Sequence, residues 1–213
     1  MENIQIEKGE LFSLNNIDGI KRVLIYLNWK SNVDMDMSAF LVGEDGLIQD
    51  DADFVFYNSK TRACTSTRAK APYDRALYPS VAIWKARTIP ISADGSVILL
   101  IDDDFGYEEC YEIMHVDLSK VSPNIKEIIF CASLYNGDNG DYKTFGNIGN
   151  LSITLSNEES DEKLCCYRVE ENFSTETAIE VAKLFRNENN EWKFEAVGEG
   201  HNGGLQTLID IYA

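Results

Sequence analysis

Short runs of β-branched and aromatic residues, each closed by a turn of Gly, Asp or Asn, constrain the fold of this 213-residue chain more than any other feature. Residues 22–29 form one such run, ending at polar Lys30, Ser31 and Asn32. Residues 33–42 alternate polar and apolar and stop at Gly43-Glu44-Asp45-Gly46. Further runs occupy 53–57, 96–101 (after the turn Asp94-Gly95), 125–134, 151–155, 163–169 and 192–197. Period-two alternation gives a strand one buried and one wet face. Many such strands with turn chemistry between them predict a mainly-β chain, a two-sheet β-sandwich.

Near the C-terminus the pattern changes. Ser174 is a suitable N-cap, Glu176 complements the first-turn dipole, and Ala178, Val181, Ala182 and Phe185 fall at helical spacing. This predicts a helix ending near 187–190, and a second, shorter one over 205–212 after Gly203-Gly204. The sandwich therefore carries one or two short helices near the C-terminus. With no internal repeat and only four prolines, 1–213 reads as a single domain. A basic insertion interrupts it at about 59–95: between residues 60 and 87, Lys60, Arg62, Arg68, Lys70, Arg75, Lys85 and Arg87 stand against Asp74 alone. Two readings of it stand: a patch for an acidic partner or the protein's own acidic face, or a solvated excursion packed through Tyr73, Tyr78 and Trp84.

Composition excludes some functions. Asp and Glu number 36 against 19 Lys and Arg, a net charge of −17. Nucleic-acid affinity comes largely from cations on phosphates, so no nucleic-acid partner is expected, nor docking on anionic lipid. No stretch is long and apolar enough for a membrane span. The first residues lack an apolar signal core, and five cysteines without a spacing framework fit a reducing, cytoplasmic setting.

The carboxylates cluster. Asp34 and Asp36 are one residue apart on a predicted strand and emerge on one face, with Met35 and Met37 on the other. Two like charges on one face repel unless a cation or donors lie between them, although D-x-D alone fits a solvated edge equally well. Asp102, Asp103, Asp104, Glu108, Glu109 and Glu112 place six carboxylates in eleven residues, around Gly106. Such a set suits Ca²⁺, which accepts six to eight oxygens in flexible geometry, better than Mg²⁺. EF-hand spacing is absent. The loop Asn136-Gly137-Asp138-Asn139-Gly140-Asp141 is a third oxygen source, or ordinary turn chemistry.

Taken together, several stretches resemble the TerD family of tellurium-resistance and general stress proteins. They are Leu27-Asn28-Trp29, the 33–42 strand with Gly43-Glu44-Asp45-Gly46, Asp53-Phe54-Val55-Phe56-Tyr57-Asn58, Val116-Asp117-Leu118 and Phe145-Gly146-Asn147-Ile148-Gly149-Asn150. The C-terminal matches are Ser174 to Ala178, Leu184-Phe185-Arg186, Glu191-Trp192-Lys193-Phe194, Ala196-Val197-Gly198 and Gly203-Gly204-Leu205. The resemblance implies a β-sandwich binding one or two Ca²⁺ in an acidic cleft, and stress-system proteins as partners. It implies Asp34, Asp36 and Asn58 on one side of the cleft. On the other stand Asp102, Asp103 and Asp104, with Glu108, Glu109 and Glu112 at the loop's acidic end. The chain departs from the family where Phe105, Tyr107 and Tyr111 enter that loop and where the chain before it is long.

Three functions follow. The first is a Ca²⁺-binding, non-enzymatic stress-response scaffold. The second is an interaction module with a degenerate metal site, acting through the basic insertion. The third, a metal-dependent hydrolase, lacks G-x-S-x-G, P-loop and H-E-x-x-H signatures, and no catalytic residue is assigned. His115 reads as a packed or rim histidine in a strand, and His201 as part of a glycine-rich loop.

Overall fold

The computed structural model describes residues 4–17, 19–30, 33–101, 110–135 and 143–213. In chain order the strands are β1 (Ile4–Ile6), β2 (Leu11–Ser13), β3 (Arg22–Lys30), β4 (Met35–Val42), β5 (Phe54–Val55), β6 (Arg62–Cys64) and β7 (Thr88–Pro90). There follow β8 (Val97–Ile101), β9 (Cys110–Asp117), β10 (Glu127–Leu134), β11 (Gly149–Asn157), β12 (Glu162–Arg168), β13 (Ala178–Arg186) and β14 (Trp192–His201). Two helices are described, α1 (Val81–Ala86) and α2 (Gly204–Tyr212).

These strands build the expected sandwich. One sheet runs β1-β12-β11-β3-β9-β8, the other β2-β14-β13-β10-β4-β5, and β6-β7 form a small separate pair. Val23, Ile25, Leu27 and Trp29 project inward from β3, as do Ile153 and Leu155 from β11. They meet Met35, Met37, Ala39 and Leu41 of β4 and Ile128, Phe130 and Ala132 of β10. Each fully buried large aliphatic or aromatic side chain contributes about 1.5–3 kcal/mol, so the layer between the sheets dominates the energetics. Cys165 joins this core while Cys166 faces away from it, and burial pushes the Cys165 thiol up to about 12.

The helix expected after Ser174 is instead strand β13, flanked by β10 and β14. A bulge explains the misleading spacing. Phe130 pairs with Ala182 and Cys131 with Glu180, leaving Val181 as an extra residue. Ile179, Val181, Ala182 and Leu184 therefore all enter the core between the sheets, while Ala178 packs on the other face. The bulge shifts a period of two into something that reads as 3.6. The second helix is present as α2. Gly203 and Gly204, with φ of 105° and 64°, make the turn into it. Leu208 packs on Phe40, Ile129, Cys131 and Ala178, covering the outer face of the second sheet.

The basic insertion folds onto its own framework. Arg62, 6 % exposed, donates to Thr88 Oγ1 and to the carbonyls of Tyr57, Ser59, Lys85 and Thr88. Trp84 is buried and donates from Nε1 to the Ala71 carbonyl at 2.7 Å. Arg68 reaches Glu158 at 3.2 Å, so part of the basic charge meets the chain's own acidic face.

Asp53 is buried where the segment before β5 approaches the turn before β8, and the amide of Ala93 there donates to the Ala52 carbonyl. Burial, with Asp94 and Asp50 nearby, raises its carboxyl to about 6. The folded state thus binds the proton more tightly than the unfolded chain, whose aspartates titrate near about 4. The stability this proton confers is complete below about pH 4 and lost as pH rises through about 6. Asp53→Asn, the neutral isostere, is expected to stabilise the fold by about 1–3 kcal/mol at pH 7.5, with the gain fading towards pH 4. Thermal melts across that range check this.

Candidate metal centre

The strand Val33-Asp34-Met35-Asp36-Met37-Ser38 has the two faces that its alternation demands. Met35 and Met37, 2 % and 1 % exposed, lie between the sheets. Asp34, Asp36, Ser38 and Phe40 take the opposite face of β4, where Phe40 packs beneath α2. Both aspartates are half-buried. On the neighbouring strand Ser133 stands opposite Asp36, and Cys131 opposite Ser38. Ser38 Oγ is fully buried and, among the described residues, has no hydrogen-bond partner. An orphaned hydroxyl next to a carboxylate pair is an oxygen donor with spare capacity.

Glu112 comes to β4 from the other side. On β9 it is in phase with Cys110, Met114 and Val116, which all enter the core, and it is itself 2 % exposed. Its Oε2 accepts from the Met37 amide at 2.7 Å. Strand β5 pairs with β4 only at Ala39 and Phe40, so the carboxylate serves as partner to β4 beyond the point where β5 stops. Sequence reasoning placed Glu112 among loop ligands and missed this bridging role. The available signal was an acid in phase with apolar residues of a strand. Ser38 was missed for a plainer reason, since an outward serine in a strand is unremarkable until its surroundings are seen.

Asn58 is exposed and follows β5, and its Oδ1 accepts from Lys85 Nζ of α1. Asp102, Asp103, Asp104, Glu108 and Glu109, and the Asp138 and Asp141 loop, lie outside the described residues. The strands that flank them converge, however. Register sets Trp29 against Cys110, Lys30 against Gly149 and Met35 against Leu134. The close of β3 and β10 and the start of β4, β9 and β11 therefore share one end of the sandwich. Among the described residues no group of three or more His, Cys, Asp or Glu is placed to hold a metal ion. The Asp34–Asp36 pair is thus a partial donor set.

Its chemistry fits a hard cation. Among the described residues, the side chains next to the pair on that face offer oxygen, except the Cys131 thiol, which complete burial holds well above its ordinary range and hence protonated. A protonated thiol is a poor ligand, and oxygen donors suit Ca²⁺ or Mg²⁺ over zinc. Neither histidine adjoins the pair: His115 is on the other sheet, and His201 is on β14, three strands from β4 in the row of Asp36. His115 is packed as expected, with burial lowering its affinity for a proton while Glu158 lies 3.0 Å from Nδ1. His201, expected in a loop, is the last residue of β14 and pairs with Glu180 at 2.8 Å.

The sequence profile of the TerD domain matches residues 2–74 and 89–212. The chain belongs to the TerD family. It is 29 % identical over 218 residues to the tellurium resistance protein TerD of Serratia marcescens, covering 99 % of this chain and 97 % of that one. Identity with general stress protein 16U of Bacillus subtilis (strain 168) is 30 %, over 98 % of this chain and 96 % of the relative. The fold matches a crystal structure from Streptomyces coelicolor A3(2) titled as a homologue of telluride resistance protein (TerD), with a TM-score of 0.58 at 20 % identity. That match covers 89 % of this chain and 95 % of the other. The stretch the family profile leaves unmatched, 75–88, contains α1.

Removing the Glu112 carboxylate leaves the buried Met37 amide without its acceptor. Glu112→Ala is expected to cost about 2–4 kcal/mol, and Glu112→Gln, which keeps an acceptor oxygen, considerably less. Urea denaturation of both variants measures the difference.

Proposed function

We propose that this TerD-family chain is a Ca²⁺-binding, non-enzymatic stress-response module. The observation carrying the reading is the two-faced β4 strand. Its methionines lock it into the core while Asp34, Asp36 and the unpartnered Ser38 hydroxyl share the outward face. In this reading Asp34 and Asp36 hold the ion, with further oxygens from 102–112. Bound Ca²⁺ would supply charge neutralisation and cross-linking of strand ends, not chemistry on a substrate. The names of the relatives, tellurium resistance and general stress proteins, support the cellular setting. That both histidines are engaged with carboxylates away from the Asp pair supports a non-catalytic role.

Isothermal calorimetry with Ca²⁺ on wild type and Asp36→Asn tests this. Binding is expected in the micromolar-to-millimolar range, weakened at least about tenfold by the substitution. The wild-type melting temperature should rise with Ca²⁺ and fall with chelator. No heat and no shift in the melt would reject the reading.

A second reading is favoured by the insertion. Tyr73, Leu77, Val81 and Ile83 are 41, 68, 47 and 37 % exposed, beside Arg75 and Arg87, and mostly within the stretch unmatched by the family profile. Clustered exposed apolar side chains mark interaction surfaces. In this reading the insertion docks an acidic partner. Arg75→Glu with Arg87→Glu should then weaken capture of that partner, and raising salt from about 50 to 500 mM should weaken wild-type capture likewise. Capture indifferent to both changes would exclude the electrostatic part.

A further inference from the structure

The insertion occupies one edge of the sandwich, and the opposite edge is its chemical counterpart. Strands β5 and β8 each end a sheet, and the Ala93–Ala52 backbone hydrogen bond brings those two ends together. The insertion is rooted there. Lys85 of α1 meets Asn58 just beyond β5, and Ile91 bridges to Ile98 of β8. Its outward surface holds together because the Tyr73 ring packs on Trp84 of α1, with centroids 5.7 Å apart. Leu77, Val81 and Ile83 are exposed on it. So are Arg75 and Arg87, which form no ion pair among the described residues.

Strands β1 and β2 end the two sheets on the other side and are joined by only four residues, Glu7 to Glu10. Each has a neighbouring strand on one side only, the kind of edge that proteins cover or join. Ile4 and Leu11 are more than half exposed on these strands. Around them Glu7, Glu10, Glu170 and Glu199 are exposed against Lys8 and Arg168. Lys8 is turned onto its own chain, donating to the Gly198 carbonyl at 2.7 Å and lying 3.8 Å from Glu199. A hollow of about 570 Å³ beside β1 is lined by Glu7, Glu170 and Glu171, which outnumber Lys8 and Arg168 there. This edge is apolar and acidic where the insertion is apolar and basic.

The same division holds for the whole chain. Residues 60–87 carry seven Lys and Arg against one Asp, a net +6, which leaves −23 on the rest of a chain whose total is −17. Complementary patches of this kind steer and orient association, and every copy of the chain brings both. We infer that the insertion of one copy docks on the β1/β2 edge of a second copy, which rests on the insertion being the docking surface described above and names its acidic partner. Because the two surfaces lie at opposite edges, each contact leaves a free surface at both ends and the assembly extends into rows. A handful of apolar side chains and two arginines make a small interface, so each contact is weak, about 10–100 µM.

Sedimentation velocity of the full chain at about 5–500 µM, in about 100 mM salt, tests this. The wild-type weight-average sedimentation coefficient should climb past that of a dimer, and fall to the monomer value in about 500 mM salt. Leu77→Glu with Arg87→Glu alters the insertion, and Ile4→Glu with Leu11→Glu alters the opposite edge. All four side chains are exposed, so both variants should melt close to wild type. Each alone should associate at least about tenfold more weakly than wild type. Glu7→Gln with Glu170→Gln, which changes no strand residue, should weaken association as well. An equimolar mixture of the first two variants retains one intact surface of each kind, and should give a one-to-one complex and nothing larger. The inference is overturned by a wild type that stays monomeric or stops at a dimer. Edge variants that associate like wild type, or a mixture without a complex, overturn it too. Fluorescein-labelled poly-L-glutamate separates the two failures. Bound by a monomeric wild type and released by Leu77→Glu with Arg87→Glu, it leaves the insertion a docking surface for a different acidic partner. If it does not bind a monomeric wild type, the docking reading of the insertion fails as well.

Discussion

The bond from the Met37 amide to the buried Glu112 carboxylate is the tie on which the rest of this end of the sandwich depends. Strand β5 is too short to pair β4 along its length, and an unpaired amide facing the core would be costly. Glu112 fills that gap from the opposite sheet. In doing so it fixes the distance between the layers and the direction in which β4 presents its alternate residues. Met37 can be fully buried only because its amide is answered, and Asp36 and Ser38 face outward only because Met35 and Met37 face in.

How legible this was in the sequence differs from strand to strand. Strands β3, β4, β8, β10, β11, β12 and β14 could be read because their side chains alternate without interruption or run continuously apolar. Strand β13 could not, since one extra residue at Val181 turns its alternation into a helical spacing. A bulge is a property of pairing, and a single strand's sequence does not contain its partner. The three-residue strands β1 and β2 are too short for any periodicity to register. At the site, the face shared by Asp34 and Asp36 followed from spacing alone. The inward turn of Glu112 and the orphaned Ser38 hydroxyl did not, because both depend on what the other sheet and α2 cover.

Charge counted along the chain also differs from charge presented to solvent. Arg62 contributes to a basic segment on paper, but its guanidinium is spent on carbonyl oxygens and Thr88 and acts as a staple joining β6 to β7. Arg68 and Lys85 are likewise turned towards partners within the chain. The planar fork of an arginine suits such work, satisfying several backbone acceptors from one rigid group. What remains outward in the insertion is more apolar than its composition suggests.

The opening strands carry a consequence for the order of assembly. Strand β1 lies parallel to β12 and strand β2 antiparallel to β14, so these two early strands close one outer edge of each sheet. Their partners are synthesised about 160 to 180 residues later. Until then β1 and β2 have nothing to pair with. In the interval before they dock, β12 and β14 offer raw hydrogen-bonding edges of the kind through which chains join one another. The two sheets are thus closed at one edge by strands made well before the partners they need.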